Sequence, residues 1–340
     1  MAWTWVRRLA RIGGYGILIL LVVAAVALTF TVGWRPVIGA KKRPLTSRKF
    51  EATAERMRRG AYLAHAVMHC MPCHSTYNEK AEPPVLLSRE GGGRVLYEEG
   101  GIRIVGPNIT SDPETGIGNW SDDAIARAIR EGIAADGSVL FPVMPYEHFR
   151  HLSDEDLASL VVFIRSLPAV HSDLPATKVP FVISRLIQSV PRPVTEPVPE
   201  PDVSSPVKHG AYLADMGTCS DCHTPVNAKF QPIPGMELAG GRVMVSAPGV
   251  AAANITPDAS GIGYYDEALF IRVIRTGSVR ARKLNWVMPW WLMRDMTDDD
   301  LKSLFAYLRT VKPLHHLVDN TEPPTQCELC GQKHGLGNRN

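Results

Sequence analysis

The sequence predicts an all-α protein: two copies of one helical unit in tandem, behind a single transmembrane helix at the amino terminus. Three observations predict it. An uncharged run of 22 residues extends from Gly13 to Trp34. A set of short motifs occurs twice, in one order, across the rest of the chain. Apolar residues recur at helical spacing in both copies, while strand-like alternation is sustained nowhere. The 340 residues suffice for two ordinary domains with cores of their own. A content of 45% hydrophobic and 21% charged residues excludes a mainly disordered chain. A net charge of +3 is too slight to argue for a nucleic-acid partner.

The uncharged run comes first. At 1.5 Å per residue it reaches about 33 Å as a helix, enough for a hydrocarbon core of about 30 Å. Arg7, Arg8 and Arg11 precede it, and Trp34 stands at its far edge, where an interfacial aromatic belongs. Ala25-Val26-Ala27 offers a signal-peptidase site, but it lies inside the apolar run rather than after it. A retained anchor within residues 1–45 is therefore expected. The basic residues Arg35, Lys41, Lys42, Arg43, Arg48 and Lys49 follow, and the positive-inside rule alone would leave the large domain in the cytoplasm. The cysteine motifs below argue for the opposite face, and long domains translocate largely regardless of nearby charge.

The repeat fixes the rest of the layout. Gly60-Ala-Tyr-Leu-Ala64 recurs as Gly210-Ala-Tyr-Leu-Ala214, and Asn108-Ile-Thr110 as Asn254-Ile-Thr256. Gly-Ile-Gly follows each, at 116–118 and 261–263, and Val143-Met-Pro145 returns as Val287-Met-Pro289. At one distance beyond each methionine stands the same closing helix, capped by Ser153-x-x-Asp156 in one copy and Thr297-x-x-Asp300 in the other. A middle helix is expected from Ser121 to Gly132, and its counterpart from about Asp266 to Gly277, each with glycine at the C-cap position. The first domain is set at 46–175 and the second at 207–316. Between them, 176–206 combines an apolar strap beginning at Pro180 with a linker that has six prolines in the 16 residues from Pro191 to Pro206. The tail, 317–340, is polar and expected to be loosely ordered.

The six cysteines fall as three Cys-x-x-Cys pairs. Two of them, Cys70-Met-Pro-Cys73-His74 and Cys219-Ser-Asp-Cys222-His223, are the c-type haem attachment signal. The two thiols reach the vinyl groups on one edge of the porphyrin, and the adjacent histidine then points at the iron. Two covalently bound haem c groups are expected, on Cys70 and Cys73 and on Cys219 and Cys222, with His74 and His223 as proximal ligands. Thioether attachment is made outside the cytoplasm, which places the haem domains in the periplasm of a bacterial inner-membrane protein. Methionine as second ligand raises the potential of an electron carrier. Met144 and Met288 are the candidates, 70 and 65 residues beyond His74 and His223 in matching Val-Met-Pro contexts. Met68, Met71 and Met216 stand too near the attachment motifs to reach the opposite haem face, and Met293 and Met296 lack counterparts in the first copy.

These residues carry a resemblance. The soluble part looks like tandem class I cytochrome c domains, and more narrowly it is similar to the multihaem cytochrome c subunits of membrane-bound alcohol and gluconate dehydrogenases. The shared features are GAYLA ahead of each attachment motif, the Leu238-Ala-Gly-Gly241 stretch, Asn254-Ile-Thr-Pro-Asp258 with its partner from Asn108, Gly-Ile-Gly plus an aromatic, and Val-Met-Pro. They cover roughly residues 55 to 314. Those subunits typically carry three haems where this chain has two motifs. The resemblance implies an electron-transfer subunit, and it places Trp120, Tyr264 and Tyr265 beside the haem propionates, with core packing as the alternative.

The remaining polar residues are read as structural. Arg127, Arg130, Arg272 and Arg275 are expected on solvated helix faces rather than on propionates. Pro107 is a candidate to hold its carbonyl against the His74 ring, and Ala253 occupies the matching place. His65, His69, His148, His151, His209, His315 and His316 are expected at the surface. Cys327-Glu-Leu-Cys330 lacks the following histidine and is expected to form a disulfide of little consequence for stability. Zinc with His334 would have only three ligands where a structural site takes four. The expected function is a dihaem carrier relaying single electrons, with a membrane dehydrogenase, a quinol-oxidising complex or a terminal oxidase as redox partner and no small-molecule substrate. A dihaem cytochrome c peroxidase-like enzyme is the competing reading. It requires an open iron, and no acid/base constellation is visible near either motif.

Overall fold

The computed structural model describes residues 2–340 except Glu79, Glu82 and Ser88. A helix, α1 (Ala2–Phe30), is long and apolar enough to cross a membrane, and none of its described side chains is buried. Beyond it the matched motifs become matched elements. Helices α2 (Ala54–Tyr62) and α3 (Asp154–Ser166) pack against one another, and so do α4 (Pro206–Met216) and α5 (Asp298–Leu308). Gly60 and Gly210 make both approaches possible, because a Cβ on either would press into the backbone carbonyl of Ser159 or Ser303.

The helix signals read from the sequence hold to the residue. Ser153 and Thr297 accept from the backbone N–H groups of Asp156 and Asp300. The middle helices run Asp122–Glu131 and Glu267–Thr276, capped by Ser121 and Asp266 and ended by Gly132 and Gly277 at φ 67° and 64°. Residues 191–202 form neither helix nor strand, and the Val198 carbonyl accepts from the Asp154 amide in the first copy.

Several expectations are corrected. The fold is helix-dominated but not wholly α: Arg94–Glu99 and Ile102–Gly106 form an antiparallel hairpin around Gly100–Gly101, both at positive φ. Two β-rich runs around Gly-Gly are a hairpin signal that the sequence carried. One contiguous apolar core joins the copies, holding Leu63 and Val67 together with Leu213 and Met216. The strap forms helix Phe181–Leu186 with no buried residue, and Arg185 reaches the carbonyls of Pro36 and Val37 just past α1. The tail is ordered: Pro324–Gln326 pairs with Lys333–Gly335, and Gln332 donates to the Val226 carbonyl of the second copy.

The contact between the copies is reciprocal. The Tyr62 hydroxyl donates to Asp300, and that of Tyr212 to Asp156 at 2.7 Å. Asp156 also receives Arg59, and Asp300 receives buried His209 at 2.7 Å. Each GAYLA tyrosine thus caps the closing-helix terminus of the other copy, a role invisible to a reading of either copy alone.

Candidate functional site

Each Cys-x-x-Cys-His run is a one-turn helix, Cys70–His74 or Cys219–His223, entered through a left-handed residue: His69 at φ 51° and Thr218 at φ 52°. A non-glycine residue there is uncommon, and its recurrence at both motifs marks a backbone reversal that the site requires. The turn swings the cysteines and the histidine away from the preceding helix and into a shared cavity.

Both histidines are fixed by the same device. His74 Nδ1–H donates to the Pro107 carbonyl at 2.8 Å, and His223 Nδ1–H to the Ala253 carbonyl at 2.7 Å. That bond sets the tautomer and leaves Nε2 with its lone pair. Burial lowers the basicity of both rings, which keeps them neutral and able to ligate. Burial also pushes the Cys70 and Cys219 thiols up to about 12.

The loops presenting those carbonyls are held by the Asn-Ile-Thr motifs. Asn108 Oδ1 accepts from the Thr110 amide and hydroxyl while its Nδ2 donates to the Val170 carbonyl; Asn254 repeats this with Thr256 and the Leu314 carbonyl. From the other side the amides of Gly93 and Gly240 donate to the carbonyls of His74 and His223 at 2.8 and 2.6 Å. Gly91–Gly93 is therefore the first copy's counterpart of Leu238–Gly240, and the flanking Glu90 and Gly93-Arg-Val95 recur as Glu237 and Gly241-Arg-Val243 with one residue more between them.

The cavity has a volume of about 2140 Å³. That is at least twice the ~300–1,000 Å³ of a pocket for one drug-sized ligand, so it has room for two large flat groups. Cys70, Cys73, His74 and Met144 line it together with Cys219, Cys222, His223 and Met288. The structure thus brings all eight predicted residues to one cavity. Trp120, Tyr264 and Tyr265 line it too. Met71, Met216 and Met296 are buried in core packing, whereas Met68 and Met293 reach the cavity wall.

The arginines and several histidines depart from expectation. Arg127 and Arg130 are buried and turn to the carbonyls of Ala134 and Leu152, with Asp154 beside Arg130, so neither lies on a solvated face. Arg275 pairs with Asp298, and only Arg272 is exposed as expected. His209 and His316 are buried, and His69 lines the cavity with Nε2 unpartnered.

Each methionine loop also sits against the other copy's attachment segment. His148, four residues beyond Met144, reaches Asp215 at 2.6 Å and Asp221, inside the second motif, at 3.0 Å. Trp291, three residues beyond Met288, stacks edge-on with Tyr77 at 5.4 Å. Hydrogen bonds to Asp215 and then Asp221 raise the His148 pKa to about 10 from 6.5. A raised folded-state pKa stabilises fully below pH 6.5, and that contribution is lost as pH rises through about 10. Discounted for solvent screening, about 1 kcal/mol is expected. His148→Gln should lower the urea midpoint near pH 6 and leave it unchanged above pH 10; an equal loss at both would refute the assignment.

Comparison with known proteins agrees with this geometry. Residues 57–168 match the family Cytochrome c. The fructose dehydrogenase cytochrome subunit of Gluconobacter japonicus is 30% identical over 269 residues, covering 74% of this chain and 52% of that one. The cytochrome c subunit of the quinone alcohol dehydrogenase of Gluconobacter oxydans is 26% identical over 298 residues, 83% of this chain and 60% of that one. A diheme cytochrome c-type protein of Cereibacter sphaeroides is 31% identical over 177 residues, 51% of this chain and 58% of that one. The chain spans between half and two thirds of the length of these relatives. Residues 57–168 are a cytochrome c domain, the chain is similar over most of its length to cytochrome c subunits of sugar and alcohol dehydrogenases, and covalently bound haem c is the cofactor that this implies.

Proposed function

We propose that the protein is a membrane-anchored dihaem cytochrome c that passes single electrons from a membrane-bound dehydrogenase partner, with its haem domains in the periplasm. The observation carrying this is the pairing of two equivalent sites in one cavity: a Cys-x-x-Cys-His turn, a histidine fixed through Nδ1, and a Val-Met-Pro methionine on the cavity wall in each copy. Haem c, when bound, supplies a reversible one-electron iron couple. Cys70, Cys73, Cys219 and Cys222 would hold it covalently, and His74, His223, Met144 and Met288 would ligate its iron. The carbonyls of Pro107 and Ala253 orient the histidines, and Ile125, Ile129, Phe270 and Ile274 on the cavity wall give the site an apolar setting.

The chain's likeness to dehydrogenase cytochrome subunits supports the choice of partner, and α1 supports the anchor. A carrier with both irons closed is expected to consume hydrogen peroxide no faster than free haem does, and to bind cyanide slowly. Rapid peroxide turnover by the unmodified oxidised protein would overturn the carrier reading and favour a peroxidase-like enzyme.

A further inference from the structure

We propose that His316, Cys327, Cys330 and His334 bind one zinc ion, in a structural site that pins the C-terminal hairpin to the loop behind the second attachment motif. All four side chains are buried, and their ligand atoms lie within 4.8 Å of one another. Cys327 Sγ stands 3.4 Å from His316 Nε2, and Cys330 Sγ stands 3.4 Å from His334 Nε2. In a tetrahedral site with Zn–S of about 2.3 Å and Zn–N of about 2.0–2.1 Å, the S···N edge is about 3.5 Å. The two observed edges have that length already.

The imidazoles are prepared as ligands. His316 Nδ1–H donates to the Ala239 carbonyl at 2.8 Å, and His334 Nδ1–H to the Gly335 carbonyl at 3.0 Å. Both Nε2 lone pairs therefore point toward the sulfurs, the arrangement in which an outer hydrogen bond fixes a metal-binding histidine. The two sulfurs are not bonded to one another in this fold. Among the described residues a disulfide between them would remove the only donors facing two buried Nε2 atoms, at about 1–3 kcal/mol for each unpartnered group. Zinc binding instead releases one proton from each thiol, and two thiolates with two neutral imidazoles balance the dication. Two sulfur and two nitrogen ligands in a closed tetrahedron select zinc and leave no open position for catalysis.

The site has a structural purpose in this fold. The His316 amide donates to Ser260 Oγ at 2.9 Å, and Ala239 precedes Gly240, whose amide holds the His223 carbonyl. Gly241, at φ 84°, leaves room for the site: a Cβ there would strike the His316 ring. The metal would thus join the tail hairpin to the segment that positions the second histidine.

The test is elemental analysis of the detergent-purified full-length chain, without chelators and after incubation with zinc chloride and gel filtration. About one zinc ion per chain is expected beside the haem iron. In the double variant Cys327→Ser with Cys330→Ser, zinc should fall about ten-fold, iron should stay constant, and trypsin should cut within 317–340 about ten-fold faster. Two results would overturn the proposal. One is wild-type protein that retains no zinc, whether its Cys327–Cys330 peptide is reduced or two hydrogens lighter. The other is zinc that persists undiminished in the double variant.

Discussion

Gly210→Ala and Gly60→Ala are each expected to destabilise the fold severely, at the helix pair of the second and of the first copy. In an exposed helix the same change stabilises by about 1 kcal/mol, because alanine is the better helix former. Here the new Cβ would lie far inside the 3.0 Å limit of real contacts, against the Ser303 or Ser159 carbonyl oxygen, with Tyr307 or Phe163 also too close. These obstacles are backbone atoms of a packed helix, so relief requires separating α4 from α5, or α2 from α3. Overpacking ordinarily costs about 1–3 kcal/mol, and displacement of a backbone in a shared core belongs at or above the top of that range. Urea denaturation followed by tryptophan fluorescence should show the midpoint falling sharply in either variant. A midpoint unchanged or raised would mean that the helices are not in this contact.

Met144→Ala and Met288→Ala should each open one iron. The oxidised protein would gain a high-spin signal from one haem, bind cyanide there quickly, and show a potential lowered on the order of 200 mV at that haem, since axial ligands span about 0.8 V. The second haem should keep its spectrum, because the repeat assigns each methionine to the histidine of its own copy. Replacement by histidine should lower the potential while keeping the iron closed. Spectra and potentials unchanged in both alanine variants would exclude these methionines as ligands.

What could be read in advance was whatever short-range chemistry encodes. Ser153, Thr297, Ser121, Asp266, Gly132 and Gly277 announce helix ends because capping is satisfied within one turn. The Cys-x-x-Cys-His spacing is equally local, and the repeat nominated Met144 and Met288, which the fold brings to the wall of the same cavity. What escaped depends on the chain returning from far away. Arg130 is buried because the carbonyl of Leu152 and the carboxylate of Asp154 meet it across a loop. His316 completes the tail cluster from the amino-terminal side of Cys327, where a search forward from the cysteine pair finds only His334. The Tyr62–Asp300 and Tyr212–Asp156 exchange needs both copies at once, although both tyrosines stand in the motif that first revealed the repeat.

The haem content of the purified chain, from pyridine haemochrome absorbance against protein mass, tests the equivalence of the two sites most directly. Two covalent haems per chain are expected, one on Cys70 and Cys73 and one on Cys219 and Cys222. A ratio near one would show that the matched geometry does not mean matched occupancy, and a ratio near three would place a haem on Cys327 and Cys330, against both the missing adjacent histidine and the zinc site.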